Sequence, residues 1–262
     1  MDIESKKFLG QPKNFVSIFN ALLFDGQPVL KPEYLKDENS ELVMNVSSKH
    51  VDIIKRYEDG TYLDLFVIES QSYVDPSMVA RVMEYESVAR MRYIRQNFKK
   101  HVPMHTRLPM ILTVVLYVGE SKWNAAKRLS ELEIIHPGFE DMFNEFKLNL
   151  IELNTNHKYN TGEKATQDFF DLLRMIYRKQ ILKEDLDREF NRDALYFAYV
   201  VTKNKELLNI YQESEKGDVK VCRALDEMFE ESTNKGIQMG IKQGIERGVK
   251  NTQIKIAIKM LV

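Results

Sequence analysis

The sequence predicts a mixed α/β domain followed by an α-helical C-terminal region, and three observations support this fold class. An amphipathic helical segment is followed within the first 160 residues by segments of strand composition. A segment without glycine or proline, 77–101, separates two of these strands and predicts a long helix. After about residue 160, apolar residues recur only with helical spacing. Such an order of helices and strands is typical of mixed α/β domains.

The first predicted helix covers residues 14–24. Its apolar side chains recur at intervals of three and four residues, which places them on one face of a helix. They are Phe15, Ile18, Phe19, Leu22 and Leu23. Asp25-Gly26 ends this helix, and Pro28 and Pro32 mark the loop that follows.

A β-hairpin is predicted next, with strands around 51–54 and 62–68 and the turn signal Glu58-Asp59-Gly60 between them. Further strands are predicted over 110–118 and 146–153, because both segments are rich in apolar residues of strand type. Together with the helix over 77–101, these elements complete the first region.

The register of the hairpin decides which side chains share a face. If Asp59-Gly60 is a two-residue loop, Asp52 faces Val67, and Glu69 is the diagonal neighbour of Asp52 on the same face. Gln71 joins that face because side chains alternate along a strand. A three-residue loop would turn one strand over and separate the two carboxylates.

The region after residue 160 predicts helices and shows no strand pattern. One apolar stripe consists of Phe169, Leu172, Leu173 and Ile176, and further helical segments lie at 195–201, 207–211 and 219–229. Cys222 lies on the last of these, where a small buried core residue is expected. The predicted division is 1–160 for the α/β domain, 161–232 for the helical region and 233–262 for a basic tail.

The composition excludes several classes of protein. A single cysteine rules out an intrachain disulfide and any cysteine-rich metal site. The formal net charge of -1 rules out a uniformly basic protein that coats nucleic acid, but it permits a local basic face. The longest apolar run, 109–118, is far shorter than the ~20 residues that span a bilayer. We expect a cytoplasmic protein with no membrane segment.

Paired carboxylates are the first candidate for chemistry. If Asp52 and Glu69 converge at a strand end, they can bind a hard divalent cation such as Mg²⁺. The metal could bind a phosphate oxygen and lower the pKa of an attacking water molecule. Solvated surface residues at a strand end give the same pattern, so spacing alone leaves both interpretations open.

A basic helix is the second candidate. Residues 77–101 include six basic and two acidic side chains. Four of the basic residues can share much of one helical face, namely Arg81, Arg92, Arg95 and Lys99. A basic helix beside paired carboxylates suits a phosphodiester backbone. The alternative is an ordinary solvated face of a helix that covers the sheet.

The tail over 233–262 has an unusual glycine pattern. Four of the 11 glycines in the chain follow one another at intervals of four, at Gly236, Gly240, Gly244 and Gly248. Each glycine costs a helix ~1 kcal/mol relative to alanine. The pattern therefore predicts a conditional helix that orders against a partner, in self-association or phosphate contact. A disordered end is the alternative.

Four segments in succession resemble the motifs of one known family. They are Asn20-Ala-Leu-Leu-Phe-Asp-Gly26, Asp52-Ile-Ile-Lys55, Ile68-Glu-Ser-Gln-Ser72 with Met78, Arg81 and Tyr85 after it, and Leu108-Pro109 through Leu116-Tyr-Val-Gly119 with Trp123. The family is the Rpn/YhgA-like family of recombination-promoting nucleases, often labelled transposases, within the PD-(D/E)xK nuclease superfamily. The helical region and the glycine-spaced tail also resemble the C-terminal half of this family.

The resemblance implies a restriction-endonuclease-like core and metal-dependent cleavage of DNA. Asp52 and Glu69 would hold Mg²⁺, with Mn²⁺ as an alternative ion. Gln71 would complete the catalytic set at the position where the superfamily more often has lysine. A glutamine can only hydrogen-bond, whereas a lysine can also stabilise charge.

We therefore expect a Mg²⁺-dependent DNA endonuclease, associated with recombination of mobile elements or with phage defence, that forms a homodimer. The alternative is a non-catalytic DNA- or partner-binding protein that keeps the nuclease fold. The missing lysine and the long tail motivate this second hypothesis.

Overall fold

The computed structural model describes residues 3–38, 53–60, 63–181, 183–214 and 217–260. The chain divides into two compact units. The first comprises Met1–Arg178 and Phe190–Val219, and the second comprises Lys179–Glu189 and Lys220–Val262. The first unit holds the large sheet, and the second holds the long C-terminal helix. The three-part division predicted from the sequence stays a prediction.

Seven α-helices and seven β-strands lie within these described residues. The helices are α1 (Ile3–Leu9), α2 (Pro12–Phe24), α3 (Met78–Asn97), α4 (Lys164–Arg178), α5 (Arg192–Thr202), α6 (Lys205–Glu213) and α7 (Cys222–Met260). The strands are β1 (Leu35–Asp37), β2 (Ile53–Glu58), β3 (Leu63–Gln71), β4 (Ile111–Tyr117), β5 (Asn149–Glu152), β6 (Glu189–Phe190) and β7 (Val219–Lys220).

Strands β1 to β5 form one mixed sheet in chain order. The pairs β1–β2 and β2–β3 are antiparallel, whereas β3–β4 and β4–β5 are parallel. Parallel neighbours require a long crossover, and α3 lies in the connection from β3 to β4. The predicted fold class, a mixed sheet flanked by helices and followed by a helical region, is confirmed.

The predicted register of the hairpin is wrong. Val67 lies opposite Ile54 rather than Asp52, because the loop between β2 and β3 is longer than two residues. The register differs from the predicted one by two positions, so the alternation of faces is preserved. Glu69 and Gln71 still share a face of β3. Asp52 itself lies outside the described residues.

The two faces of the sheet pack against different helices. On one face, Phe66 stacks on Phe19 of α2 with 4.8 Å between ring centroids. On the other, Val67 is buried in an apolar cluster with Tyr85 of α3. Alternation along β3 therefore places Glu69 on the face that α3 covers.

Two polar residues of the first motif stabilise the end of α2. Asn20 donates from Nδ2 to the carbonyl oxygen of Leu30 and accepts from the Leu30 amide, both at 2.9 Å. Asp25 and Gly26 follow with φ of 50° and 77°, the left-handed conformation that closes a helix. Asn20 and Asp25 therefore both have a structural role at the end of α2.

The helical prediction for the C-terminal region is confirmed, with one correction. The stripe residues Phe169, Leu172 and Leu173 of α4 are fully buried. The prediction that no strand occurs here is wrong, because β6 and β7 form a two-stranded sheet. Each has only two residues, which is too short to show any alternation.

The long helix α7 contains the four spaced glycines and begins at Cys222. The Cys222 thiol is buried, as predicted, and burial raises its pKa to about 11. A Cβ added at any of the four glycines would meet nothing within 4 Å. The apolar residue after each glycine is exposed. These are Ile237, Ile241, Ile245 and Val249.

Candidate active site

A buried carboxylate lies at the carboxyl end of β3. Glu69 is 2% exposed, and its Oε1 accepts a hydrogen bond of 2.8 Å from Nε2 of Gln71. Glu69 and Gln71 pair with Val115 and Tyr117 of β4, which runs parallel to β3. The desolvation of an ionised carboxylate is costly unless the group is paired, so the partners of Glu69 decide what it can do.

The main partner is Arg81, one turn into α3. Its Nη2 donates to Oε1 of Glu69 at 3.0 Å, and its Nη1 donates to Oδ2 of Asp75 at 2.6 Å. The Tyr85 hydroxyl accepts from Nε at 3.1 Å and from Nη2 at 2.8 Å. Burial opposes the charge of Arg81, but the hydrogen bonds to Asp75 and Tyr85 outweigh it and raise its pKa.

Asp75 joins this ion pair to the start of α3. Its Oδ1 accepts from the amide of Ser77 at 2.9 Å and from the Ser77 hydroxyl at 2.7 Å. Burial works against ionisation of Asp75, but the hydrogen bonds from Ser77 and Arg81 outweigh it and lower its pKa. Glu69, Arg81 and Asp75 therefore form a largely buried row of alternating charge, in which Gln71 and Ser77 hydrogen-bond to the two carboxylates.

Sequence reasoning did not single out Asp75, although a signal was present. Aspartate two residues before a predicted helix accepts hydrogen bonds from the backbone at the helix start. Arg81 follows the helix start by one turn, which brings its guanidinium back toward that position. The sequence Asp75-Pro76-Ser77 therefore indicated a cap, though not its link to Glu69.

The predicted nucleic-acid-binding residues of α3 do not share one environment. The Arg81 side chain is only 13% exposed and is engaged by two carboxylates. Arg92 is half-buried, whereas Arg95 and Lys99 are exposed. Lys99 also lies beyond the end of α3 at Asn97. The structure therefore separates Arg81, which is held by carboxylates, from the exposed Arg95 and Lys99.

Lys55 is the other cation of the matching motifs, and it lies on the opposite face from Glu69. Its partner across the sheet is Phe66, which packs on α2. The Lys55 ammonium lies 5.9 Å from the centre of the Phe15 ring and 2.6 Å from Oδ1 of Asp37. Lys55 therefore does not replace the lysine that Glu-x-Gln lacks.

The oxygen donors at this strand end fit a hard divalent cation in chemical type. Glu69 supplies a carboxylate, and Gln71 supplies an amide. The described ranges contain no group of three or more carboxylate, histidine or cysteine side chains that could hold a metal ion. The sequence predicts that Asp52, which lies outside the described residues, supplies the second carboxylate, and its convergence with Glu69 stays a prediction.

Comparison with known proteins identifies a family. A family model described as "Putative transposase, YhgA-like" matches residues 33–207, which is more than half of the chain. No curated protein and no solved structure matches this chain. Among the helices of the described segments, none is both long enough and apolar enough to cross a membrane.

Proposed function

Because the chain belongs to the YhgA-like transposase family, we propose that it is a Mg²⁺-dependent DNA endonuclease. Its substrate in this proposal is the phosphodiester backbone of DNA, cleaved by hydrolysis during recombination of mobile elements or defence against phage. A cytoplasmic location is part of the proposal.

One observation carries this proposal. The carboxylate of Glu69 is buried at a strand end, next to the Gln71 amide of the Glu-x-Gln pattern. Most glutamate side chains are exposed to solvent. A glutamate that is buried together with a charged partner is typical of functional sites. Asp52 directly precedes β2 in the sequence, and Ile53 pairs with Ile68, the neighbour of Glu69.

Each residue has a distinct part in the proposed reaction. Asp52 and Glu69 would hold the metal ion, which supplies an activated water molecule and polarises the phosphate when bound. Gln71 holds the Glu69 carboxylate in place through a hydrogen bond of 2.8 Å. Gln71 carries no charge, so it cannot neutralise the negative charge that develops on the phosphate.

DNA contact is assigned to the exposed basic residues at the end of α3. Arg95 and Lys99 are exposed, as contacts to phosphate require, and Arg92 lies one turn earlier. Contacts of this kind fix the position of the duplex without selecting a sequence. They also make the affinity for DNA fall with rising salt concentration.

The test is plasmid cleavage with Mg²⁺ or Mn²⁺ by the wild type, Asp52→Asn and Glu69→Gln. Both substitutions preserve size and remove a charged metal ligand, and we expect cleavage to fall more than ~100-fold, beyond the range for groups outside the metal shell. Asp64→Asn is a matched control, because Asp64 lies on the same strand and binds the amide of Met110. Cleavage that survives both site substitutions would contradict the proposal.

A non-catalytic DNA- or partner-binding protein is the second candidate. The sequence has Gln71 where the superfamily more often has lysine, which favours this candidate, and the described Lys55 lies on the other face of the sheet. Metal titration separates the two candidates, because the second one predicts no Mg²⁺ or Mn²⁺ binding that depends on Asp52.

A homodimer formed through α7 is a further part of the proposal. The exposed apolar residues that follow the glycines recur at intervals of four, like the glycines themselves. A row of this spacing forms a ridge that packs into the grooves of a second helix. Neighbouring glycines let two helix backbones approach closely.

A further inference from the structure

We propose that Arg81 is a built-in counter-ion of Glu69 that weakens metal binding at this carboxylate. The positive charge of Arg81 lies next to one oxygen of the Glu69 carboxylate, which a divalent cation would also have to bind. The inference rests on the proposed function, because it requires Glu69 to be a metal ligand. It goes beyond that function by assigning to Arg81 control over metal affinity in place of contact with DNA.

The geometry makes Arg81 a direct neighbour of the metal position. Its Nη2 lies 3.0 Å from Oε1 of Glu69, the same oxygen that accepts from Gln71. The exposed fractions of the two side chains in the ion pair are 13% for Arg81 and 3% for Glu69. A cation held by Glu69 would therefore share one carboxylate with a guanidinium, where water screens little of the repulsion.

Arg81 cannot simply move away when a metal ion arrives. Asp75 holds Nη1 at 2.6 Å, and the Tyr85 hydroxyl accepts from Nε and Nη2. Asp75 is itself fixed by two hydrogen bonds from Ser77 at the start of α3. Rotation of the guanidinium would break these three hydrogen bonds as well as the one to Glu69, so the positive charge stays in the site.

Two opposite effects follow from this arrangement. The charge of Arg81 repels a divalent ion and lowers the affinity of the site. Its hydrogen bond fixes the orientation of the Glu69 carboxylate, which supports turnover once metal is bound. Removal of Arg81 should therefore tighten metal binding and reduce the cleavage rate at saturating metal, whereas general damage to the fold would impair both.

The experiment measures Mn²⁺ binding to the full chain by calorimetry and by the electron paramagnetic resonance signal of free Mn²⁺. We expect Arg81→Met, which preserves length and removes the charge, to bind Mn²⁺ about tenfold more tightly than the wild type. Arg81→Lys keeps the charge and should stay within about threefold of the wild type. Glu69→Gln should bind far more weakly.

Asp75→Asn provides a second variant with the opposite sign. It removes the negative charge that offsets Arg81, so Mn²⁺ should bind roughly threefold more weakly. Circular dichroism of each variant establishes that it is folded. If Arg81→Met does not fold, the pair of Arg81→Lys and Asp75→Asn still tests the inference, because binding by Asp75→Asn that equals or exceeds the wild type would overturn it.

The remaining outcomes separate this inference from the proposed function. Glu69-dependent Mn²⁺ binding by the wild type, unchanged or weakened in Arg81→Met, overturns the inference and leaves the metal-dependent nuclease standing. Absence of Mn²⁺ binding in both the wild type and Arg81→Met contradicts the metal site itself, and the inference falls with it. Tighter binding by Arg81→Met, with slower cleavage, supports both.

Discussion

The carboxyl end of β3 and the outer part of α7 place their side chains in opposite ways. At β3, the carboxylates of Glu69 and Asp75 are buried, and both are hydrogen-bonded to the largely buried Arg81. On α7, Ile241 and Ile245 are more than half exposed. Buried charges are tolerated only with fixed partners, so the fold specifies the geometry of the first region. In the described part of the chain, the exposed apolar residues of α7 have no buried charge to fix them, so only the helical spacing places them in one row.

The largest effect on stability is expected from Asp75→Ala. This change leaves the Arg81 guanidinium with one carboxylate fewer and removes the hydrogen bonds to Ser77. Removal of one partner of a buried ion pair typically costs about 3 kcal/mol or more. Urea unfolding of the full chain measures the loss.

The double variant Asp75→Ala/Arg81→Met is the control for this prediction. It removes both buried charges of that pair, so it should be less destabilised than the sum of its single variants. Additive losses would show that the two side chains act independently, which would contradict the view that the charges at β3 require each other.

Acid should weaken the β3 region before it affects the α7 row. The pKa of Asp75 is lowered from its usual 3.8 in the folded protein. The stabilisation from this carboxylate is therefore complete above about pH 4 and is lost as the pH falls through the folded pKa. Asp75→Asn should lack this part of the acid sensitivity. Equal slopes of stability against pH below pH 4 in both proteins would refute the assignment.

The sequence predicts that Glu69 and Gln71 share a face of β3, because side chains alternate along a strand whatever the length of the loop before it. The turn signal at residues 58–60 fits several loops, so the register was two positions off. Strand β1, Leu35–Asp37, has three residues and no pattern to detect.

Helical periodicity alone does not predict the direction in which the Arg81 side chain points. The buried face of α3 includes Met78, Val82, Tyr85 and Ala89, and Arg81 lies three residues after Met78 and four before Tyr85. This spacing puts Arg81 beside the buried face, but only the position of Asp75 and Glu69 shows where its guanidinium points. Convergence of Asp52 on Glu69 stays a prediction.

Alanine at Gly240 or Gly244 should strengthen α7 by about 1 kcal/mol at each position. Space does not oppose the change, since an added Cβ would meet nothing within 4 Å. Circular dichroism at 222 nm, followed through thermal melting, measures the gain.

If the glycines also allow two α7 helices to approach, the same variants should dissociate more readily in sedimentation equilibrium. Unchanged association would show that the glycines are not at a helix contact.

Ile241→Lys should have the smallest effect on the free energy of unfolding, within about 0.5 kcal/mol when measured at a protein concentration where the chain is monomeric. The side chain is 58% exposed, so little apolar burial within the chain is lost. Self-association should nevertheless weaken, because a charge in the middle of an apolar ridge repels its copy on a second helix. Light scattering after size exclusion compares Ile241→Lys with Gln243→Lys, which adds the same charge on the opposite side of α7 and should leave the dimer intact. A wild type that is monomeric at every concentration, or equal behaviour of the two variants, would mean that the row on α7 does not mediate dimerisation.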